Sequence, residues 1–305
     1  MNYEHKPVLL NAVISFLNIQ KKDGVWVDAT LGLGGHSEEI LKKITKGSLL
    51  IGIDRDKESL EIARKRLEVY KNFIPVHSDF KDLDIVLEQN NITEIDGILF
   101  DLGFSSYQIE KKERGFSFML DYNLDMRMDN TQKLTAYYVV NYYSEKELDK
   151  IIKEYGEDRN HKKLARAIIN NRPIKTTKQL ADIAIKVNKV KQKIHPATRL
   201  FQAIRIEVND ELDSLKNGLI KALKFLKKGS RIVVISFHSL EDRIVKQFFL
   251  RESKDCICED KRIICNCGHK KVLKILTKKP ILADENEIKE NPRARSALLR
   301  AGEKI

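Results

Sequence analysis

The chain has 305 residues, enough for one large or two ordinary domains. Its 42% hydrophobic content is that of a globular protein. No apolar run is long enough to span a bilayer and the N-terminus lacks the apolar core of a signal peptide, so a cytoplasmic location is the expectation. The formal charge of +12 is concentrated: residues 159–205 hold thirteen Lys and Arg against one acid, Asp182, which points to a polyanion-binding face, with nucleic acid ahead of a membrane surface.

Residues 8–17 form an apolar helix with His5 and Pro7 ahead of it. Val25-Trp26-Val27 reads as a buried strand that ends at Asp28. Gly32, Gly34 and Gly35 follow as a tight turn where backbone can approach a ligand closely. Ser37 is the expected N-cap of a helix over residues 38–43. Strand, glycine turn and helix start together make a nucleotide-binding edge. A second strand, Leu49-Leu50-Ile51-Gly52-Ile53, ends in Asp54 about 20 residues after the turn, where nucleotide folds place a ribose-binding carboxylate. Leu60, Ala63 and Leu67 mark a helix over residues 57–70. A third strand, Phe73-Ile74-Pro75-Val76-His77, leads into Ser78-Asp79-Phe80 and a helix over residues 82–89. A fourth, Gly97-Ile98-Leu99-Phe100, ends in Asp101. Acids gathered at one end of four βα-spaced strands predict a parallel sheet whose carboxyl edge is the site.

After Asp101 the alternation breaks. Residues 102–108 read as a polar loop, and the blocks at 114–118 and 124–129 are neither clean helix nor clean strand. From 135 to 190 the pattern is helical; Pro173 breaks one helix and Thr176-Thr177 can cap the next. Pro196 begins a single long helix running to Leu226 that returns the chain to the sheet. Residues 227–231 are a turn, 232–237 a fifth strand and 244–249 a helix, with two more strands at 272–276 and 297–300. The expectation is a seven-stranded, mostly parallel α/β sheet with an all-helical insertion after the fourth strand.

The glycine turn lacks the third Gly of the dinucleotide fingerprint, and an edge lined with carboxylates favours a cationic ligand over a pyrophosphate. A dehydrogenase therefore falls behind, and a non-enzymatic RNA-binding scaffold would have no need of Asp28, Asp54, Asp79 and Asp101. All four cysteines lie in Cys256-Ile257-Cys258 and Cys265-Asn266-Cys267, with His269 nearby. A cytosolic chain disfavours disulfides, and four thiolates fit one structural zinc. The Cys-x-Cys spacing is tighter than the usual zinc pattern, which leaves a reduced loop as an equal alternative.

Seven blocks in order, Asp28-Ala29-Thr30-Leu31-Gly32-Leu33-Gly34-Gly35-His36-Ser37, Asp101-Leu102-Gly103-Phe104-Ser105-Ser106, Arg114-Gly115-Phe116-Ser117-Phe118, Leu124-Asp125-Met126-Arg127-Met128-Asp129, Phe201-Gln202-Ala203-Ile204-Arg205, Ser236-Phe237-His238-Ser239-Leu240-Glu241-Asp242-Arg243 and Asn291-Pro292-Arg293-Ala294-Arg295-Ser296, resemble the signatures of one family. It is the bacterial 16S ribosomal RNA cytosine-N4-methyltransferase family, dependent on S-adenosylmethionine, and the likeness runs from His5 to the C-terminus. The resemblance implies a class I methyltransferase (Rossmann-like) fold: residues 1–108 and 201–305 form the methyltransferase domain and 109–200 an inserted helical substrate-binding domain. It implies methylation of the exocyclic N4 of a cytidine in the decoding region, with 16S rRNA within the small ribosomal subunit as partner, and leaves a homodimer open. By matching motif positions, Gly34, Gly35, His36, Asp54, Phe80, Asp101 and Gln108 would contact the cofactor. Asp54 can accept both ribose hydroxyls, Phe80 offers a flat face to adenine, and the backbone at Gly34 and Gly35 lets the amino-acid end lie close. Phe104 departs from the family, where smaller apolar residues are usual, and is expected to alter packing.

The N4 amine is a poor nucleophile because its lone pair is delocalised into the ring. Transfer needs an unstacked base, in-line placement and a proton acceptor. Asp101, with Ser105 and Ser106 in the following loop, sits where such an acceptor belongs. No covalent nucleophile and no catalytic metal is called for. His238 is expected near the same edge, Glu241, Asp242 and Arg243 as an internal ion-pair cluster, and Arg127 as structural between Asp125 and Asp129.

Overall fold

The computed structural model describes residues 7–19, 23–104, 107–108, 111–188, 194–258, 265 and 267–305. Apolar side chains alternate along the strands and are buried on both sides. Val27, Ile51, Ile53, Ile98, Phe100 and Val234 enter one core, and Trp26, Leu50, Leu99, Val233 and Ile235 enter another. A sheet buried on both faces fits parallel strands joined by helices, and that is what forms. The strands are β1 (Val25–Asp28), β2 (Leu49–Asp54), β3 (Phe73–His77), β4 (Ile95–Asp101), β5 (Leu226–Ser236), β6 (Leu273–Ile275) and β7 (Leu298–Lys304). Their order is β3-β2-β1-β4-β5-β7-β6, with β7 antiparallel to β5 and β6 and the other pairs parallel. This is the class I methyltransferase architecture. Successive strands reverse direction of travel across the sheet between β1 and β4, so the crevice at the carboxyl ends of those two strands is the topological switch point. Asp28 ends β1 and Asp101 ends β4 there.

Several sequence expectations are corrected. The helix after the glycine turn begins at Gly35, with Gly34 as its N-cap, so Ser37 is not the cap but a fully buried residue of the first turn. The turn expected at residues 227–231 lies within β5. Ile95 pairs with Leu226 and Gly97 with Arg231, so four residues bulge out opposite Asp96 and the strand continues beyond them. The helix expected over 244–249 spans Ser239–Glu252, because His238 and Glu241 form a capping box that starts it earlier. The helix expected over 57–70 ends at Arg66, and that over 82–89 is preceded by a short 3-10 turn, Phe80–Asp82.

The chain divides into two compact units, Met1–Gly103 with Leu212–Ile305, and Phe104–Glu211. The single helix expected from Pro196 to Leu226 is two: Thr198–Asn209 and Glu211–Phe225, broken at Asp210, whose φ is 51°. The physical reason is that the two halves serve different cores. Phe201, Ile204 and Val208 bury in the helical unit, while Leu215 and Leu219 bury against the sheet. The second unit therefore extends to Glu211 and takes in the Phe201–Arg205 block expected in the sheet domain, and it begins at Phe104 where 109 was expected.

Within the second unit the helices Ala136–Tyr142, Glu145–Glu154, His161–Asn170, Thr177–Val187 and Thr198–Asn209 surround one apolar cluster. Ser144 with Glu147, and Thr176 with Gln179, form capping boxes; the latter bears out the expected cap. The irregular blocks are tied by side chains. Arg127 grips Asp125 with two hydrogen bonds of 2.8 Å and donates to the carbonyls of Asn130 and Gln132. Asn209 accepts from Met128 N–H and donates to Met126 O, each at 2.7 Å. Arg127 is therefore structural, as expected. Phe104 stacks on Phe116 with ring centroids 5.6 Å apart, and the Arg205 guanidinium lies 4.6 Å from its ring centre, so the larger residue fills an aromatic layer.

Candidate functional site

The glycine turn is fastened to both neighbouring strands. Ala29 N–H donates to Leu99 O and Leu31 N–H to Ile53 O, at 2.9 and 2.8 Å. Gly34 has φ 81°, in the left-handed region, and a Cβ there would also stand 3.0 Å from Leu67 Cδ1; glycine is required on both counts. The turn ends in helix Gly35–Lys43, whose first N–H groups have no partner within the helix.

Four carboxylates organise the edge. Asp28 is buried and accepts from Ser37 Oγ at 2.7 Å and from Thr30 N–H at 3.2 Å. Burial pushes its pKa up to about 6, against the lowering effect of those two donors. Asp54 accepts from Gly32 N–H at 2.6 Å through one oxygen and from Asp56 N–H at 2.7 Å through the other, and burial raises it to about 6 as well. Each of its oxygens keeps a second lone pair, so the residue can shape the turn and still accept from a ligand. Asp101 donates its N–H to Thr30 Oγ1 at 2.6 Å. Its Oδ2 lies 3.4 Å from His36 Nδ1, and its Oδ1 is buried with no hydrogen-bond partner among the described residues. Burial, then the charges of Asp28 and Glu241, hold its pKa well above the usual carboxylate range.

Glu241 is the fourth and was not among the expected site residues. It is buried, and its Oε2 accepts from Phe237 N–H at 2.8 Å and His238 N–H at 3.3 Å. The signal was present in the sequence as a cap followed three positions later by Glu. Asp242, expected to join a cluster with Glu241 and Arg243, instead makes a two-point ion pair with Arg300 at 2.6 and 3.0 Å. His238 accepts from Glu241 N–H at 3.4 Å, so it is the N-cap at the end of β5.

His36 is buried; its Nε2–H donates to Val8 O at 2.9 Å and its Nδ1 faces Asp101 Oδ2 at 3.4 Å. Asp79 does not face the edge as an open acid. It caps the turn that carries Phe80, pairs with Arg55 and accepts from Ser214 Oγ at 3.3 Å. Phe80 is half-buried, edge-on to Phe100 at 5.5 Å, with the Arg55 guanidinium 5.8 Å from its ring centre. Gln108 is buried in the second unit, and Ser105 and Ser106 lie outside the described residues.

Ser37→Ala is expected to destabilise the protein by about 1–3 kcal/mol, the usual cost of orphaning a buried acceptor. The loss should grow with pH. Asp28 has a folded pKa of about 6 against 3.8 for the free group, and without its donor the ionised form is harder still to bury. Denaturant melts at about pH 5 and about pH 8 check this; a loss that is equal at both, or larger at the lower pH, contradicts it.

Carboxylates whose ionisation is held back by burial, and at Asp101 also by Asp28 and Glu241, are a poor seat for a pyrophosphate and a good one for a cation. A sulfonium such as that of S-adenosylmethionine would offset the repulsion that adds to burial in raising Asp101, whose buried Oδ1 has no partner among the described residues. The residues present therefore fit this cofactor.

A family model described as the MraW methylase family matches residues 2–305. Two relatives named Ribosomal RNA small subunit methyltransferase H, from Caldicellulosiruptor bescii and Caldicellulosiruptor saccharolyticus, are 54% and 55% identical over 307 residues, covering 99% of this chain and 100% of each. One of the same name from Halothermothrix orenii is 51% identical over 308 residues, covering 99% of both chains. The chain belongs to the MraW methylase family, and S-adenosylmethionine is its methyl donor.

Proposed function

We propose that the protein methylates small-subunit ribosomal RNA in the cytoplasm, at the exocyclic N4 of a cytidine in the decoding region of 16S rRNA. The observation that carries the chemical part is Asp101 Oδ1, buried at the switch point of the sheet and without a partner among the described residues. The RNA part rests on the name its relatives share and on the basic segment. S-adenosylmethionine supplies an electrophilic methyl group on a positively charged sulfur. The N4 lone pair forms the new C–N bond as the C–S bond breaks, and the C–S electron pair stays on sulfur as a neutral thioether. N4 gains positive charge in that step and must lose a proton. Asp101 Oδ1 accepts the N4–H hydrogen bond and then the proton. Its burial and its two carboxylate neighbours make it a stronger base than an exposed aspartate. Asp54 holds the ribose, the Phe80 ring flanks the adenine, and Gly34, Gly35, His36 and Gln108 complete the cofactor contacts. Ser105 and Ser106 orient the amine.

The helical unit grips the RNA backbone. Lys162, Lys163, Lys175, Lys178 and Lys186 are all exposed on its helices and loops, and contacts of that kind position a nucleic acid without reading its sequence. Changing Lys162, Lys163, Lys189, Lys191 and Lys193 together to Glu is expected to weaken RNA binding by at least tenfold at low salt and to flatten its salt dependence; the last three lie outside the described residues. Cofactor affinity should not change. Filter binding across a salt series and calorimetry measure the two. Wild-type RNA affinity and slope would make these lysines a solvated surface, and joint loss of both ligands would refute the division of labour between the two units.

A further inference from the structure

The four cysteines take no part in this chemistry, yet their sulfurs converge. The Sγ atoms of Cys256, Cys258, Cys265 and Cys267 all lie within 4.8 Å of one another. Cys265 Sγ is 3.5 Å from Cys267 Sγ, which is 4.0 Å from Cys256 Sγ. Zn–S bonds of about 2.3 Å directed to the corners of a tetrahedron set sulfur–sulfur edges of about 3.8 Å, between those two distances. A covalent S–S bond is about 2.05 Å, so neither pair is at disulfide distance. Three of the four residues are exposed, so burial of apolar surface does not draw the thiols together.

The local backbone is shaped for the same task. Cys258 N–H donates to Cys256 Sγ at 3.4 Å, a bond that favours thiolate over thiol. Gly268, directly after the last cysteine, has φ 65° with open space around it, a left-handed conformation that glycine takes without strain. His269 is turned elsewhere: its Nε2 lies 3.1 Å from Arg251 O, which leaves four sulfurs as the donor set. The segment also needs a cross-link. Val272 N–H donates to Glu252 O at 3.0 Å and closes a neck, and among the described residues of 253–271 there is no helix or strand. Long excursions without secondary structure are uncommon in compact domains.

The geometry points to a closed four-thiolate Zn²⁺ site that staples the loop between helix Ser239–Glu252 and β6. Four S–H protons leave to solvent as four Zn–S bonds form, and the divalent ion leaves a net charge of 2− on the site, with Lys254, Lys270 and Lys271 adjacent in sequence. An all-sulfur set suits a soft, redox-inert ion in a structural role.

Metal analysis of the full chain purified without chelator should find about one zinc per chain, and the double variant Cys265→Ser/Cys267→Ser should retain none. Wild-type protein in which Co²⁺ replaces zinc should show the d–d and sulfur-to-metal absorption of a tetrahedral four-thiolate complex, a reading that needs no variant to fold. Four thiols that react at once with a disulfide reagent in metal-free protein as purified would overturn the proposal. So would two disulfides revealed by mass before and after reduction, iron in place of zinc, or a cobalt spectrum of an octahedral oxygen set.

Discussion

Asp101→Asn is expected to lower the single-turnover rate of methyl transfer by about 10²–10⁴-fold, the usual worth of a positioned proton acceptor. Asparagine keeps the shape and one acceptor oxygen but cannot take the proton. The variant should not fail by unfolding. Asp101 has a folded pKa well above its ordinary value, and Asp28 and Asp54 stand at about 6 against 3.8. A carboxyl raised in this way gives its full share of stability below pH 3.8 and loses it as pH rises through the folded value, so these groups weaken the cofactor-free protein from 3.8 through about 6 and above. Asp101→Asn removes one of them. Its stability at about pH 8 should equal or exceed the wild type's. Quenched-flow transfer from labelled cofactor, together with denaturant melts, measures both. A variant that is stable and transfers at the wild-type rate takes Asp101 out of the chemistry.

Asp54→Ala is expected to weaken S-adenosylmethionine binding by about 1.5–3 kcal/mol, roughly 10- to 150-fold, through loss of charge-assisted hydrogen bonds to the ribose. Asp54 also fixes Gly32 N–H and Asp56 N–H, so a weakened affinity alone would not separate a lost ribose contact from a loosened turn. A cofactor lacking the ribose hydroxyls separates them. On wild-type protein it should show most of the same loss, and on Asp54→Ala it should lose little more. Calorimetry on the four combinations gives the coupling. Unchanged affinity for the intact cofactor in a folded Asp54→Ala protein would sink the ribose assignment.

The sheet was legible because its strands are short apolar runs that end in acids, and burial on both faces leaves little else such runs can do. Asp28, Asp54 and Asp101 were legible for the same reason, since an acid at the end of a buried strand has no packing role. Asp79 shows the limit of that inference. It too follows a strand, but Arg55 and Ser214, distant in sequence, engage it. Glu241 was missed because its position beside Asp242 and Arg243 reads as one member of an internal ion-pair cluster, whereas the capping box with His238 and the charge it exerts on Asp101 put it at the sheet edge. The break at Asp210 was hidden because apolar residues continue at helical spacing on both sides. Only the fold reveals that Phe201 and Leu215 serve different cores. Periodicity records that a face is buried and is silent on what it is buried against.

The position that receives the methyl group decides most directly between N4 transfer and any other. Protein, labelled S-adenosylmethionine and either small-subunit RNA or assembled small subunits should yield labelled RNA, whose nucleosides are then separated and identified by mass spectrometry. The predicted result is N4-methylcytidine as the one labelled nucleoside, formed by the wild type and lost with Asp101→Asn. Label on a ring carbon, on a ribose oxygen or on another base, or no label in RNA from either substrate, would contradict it.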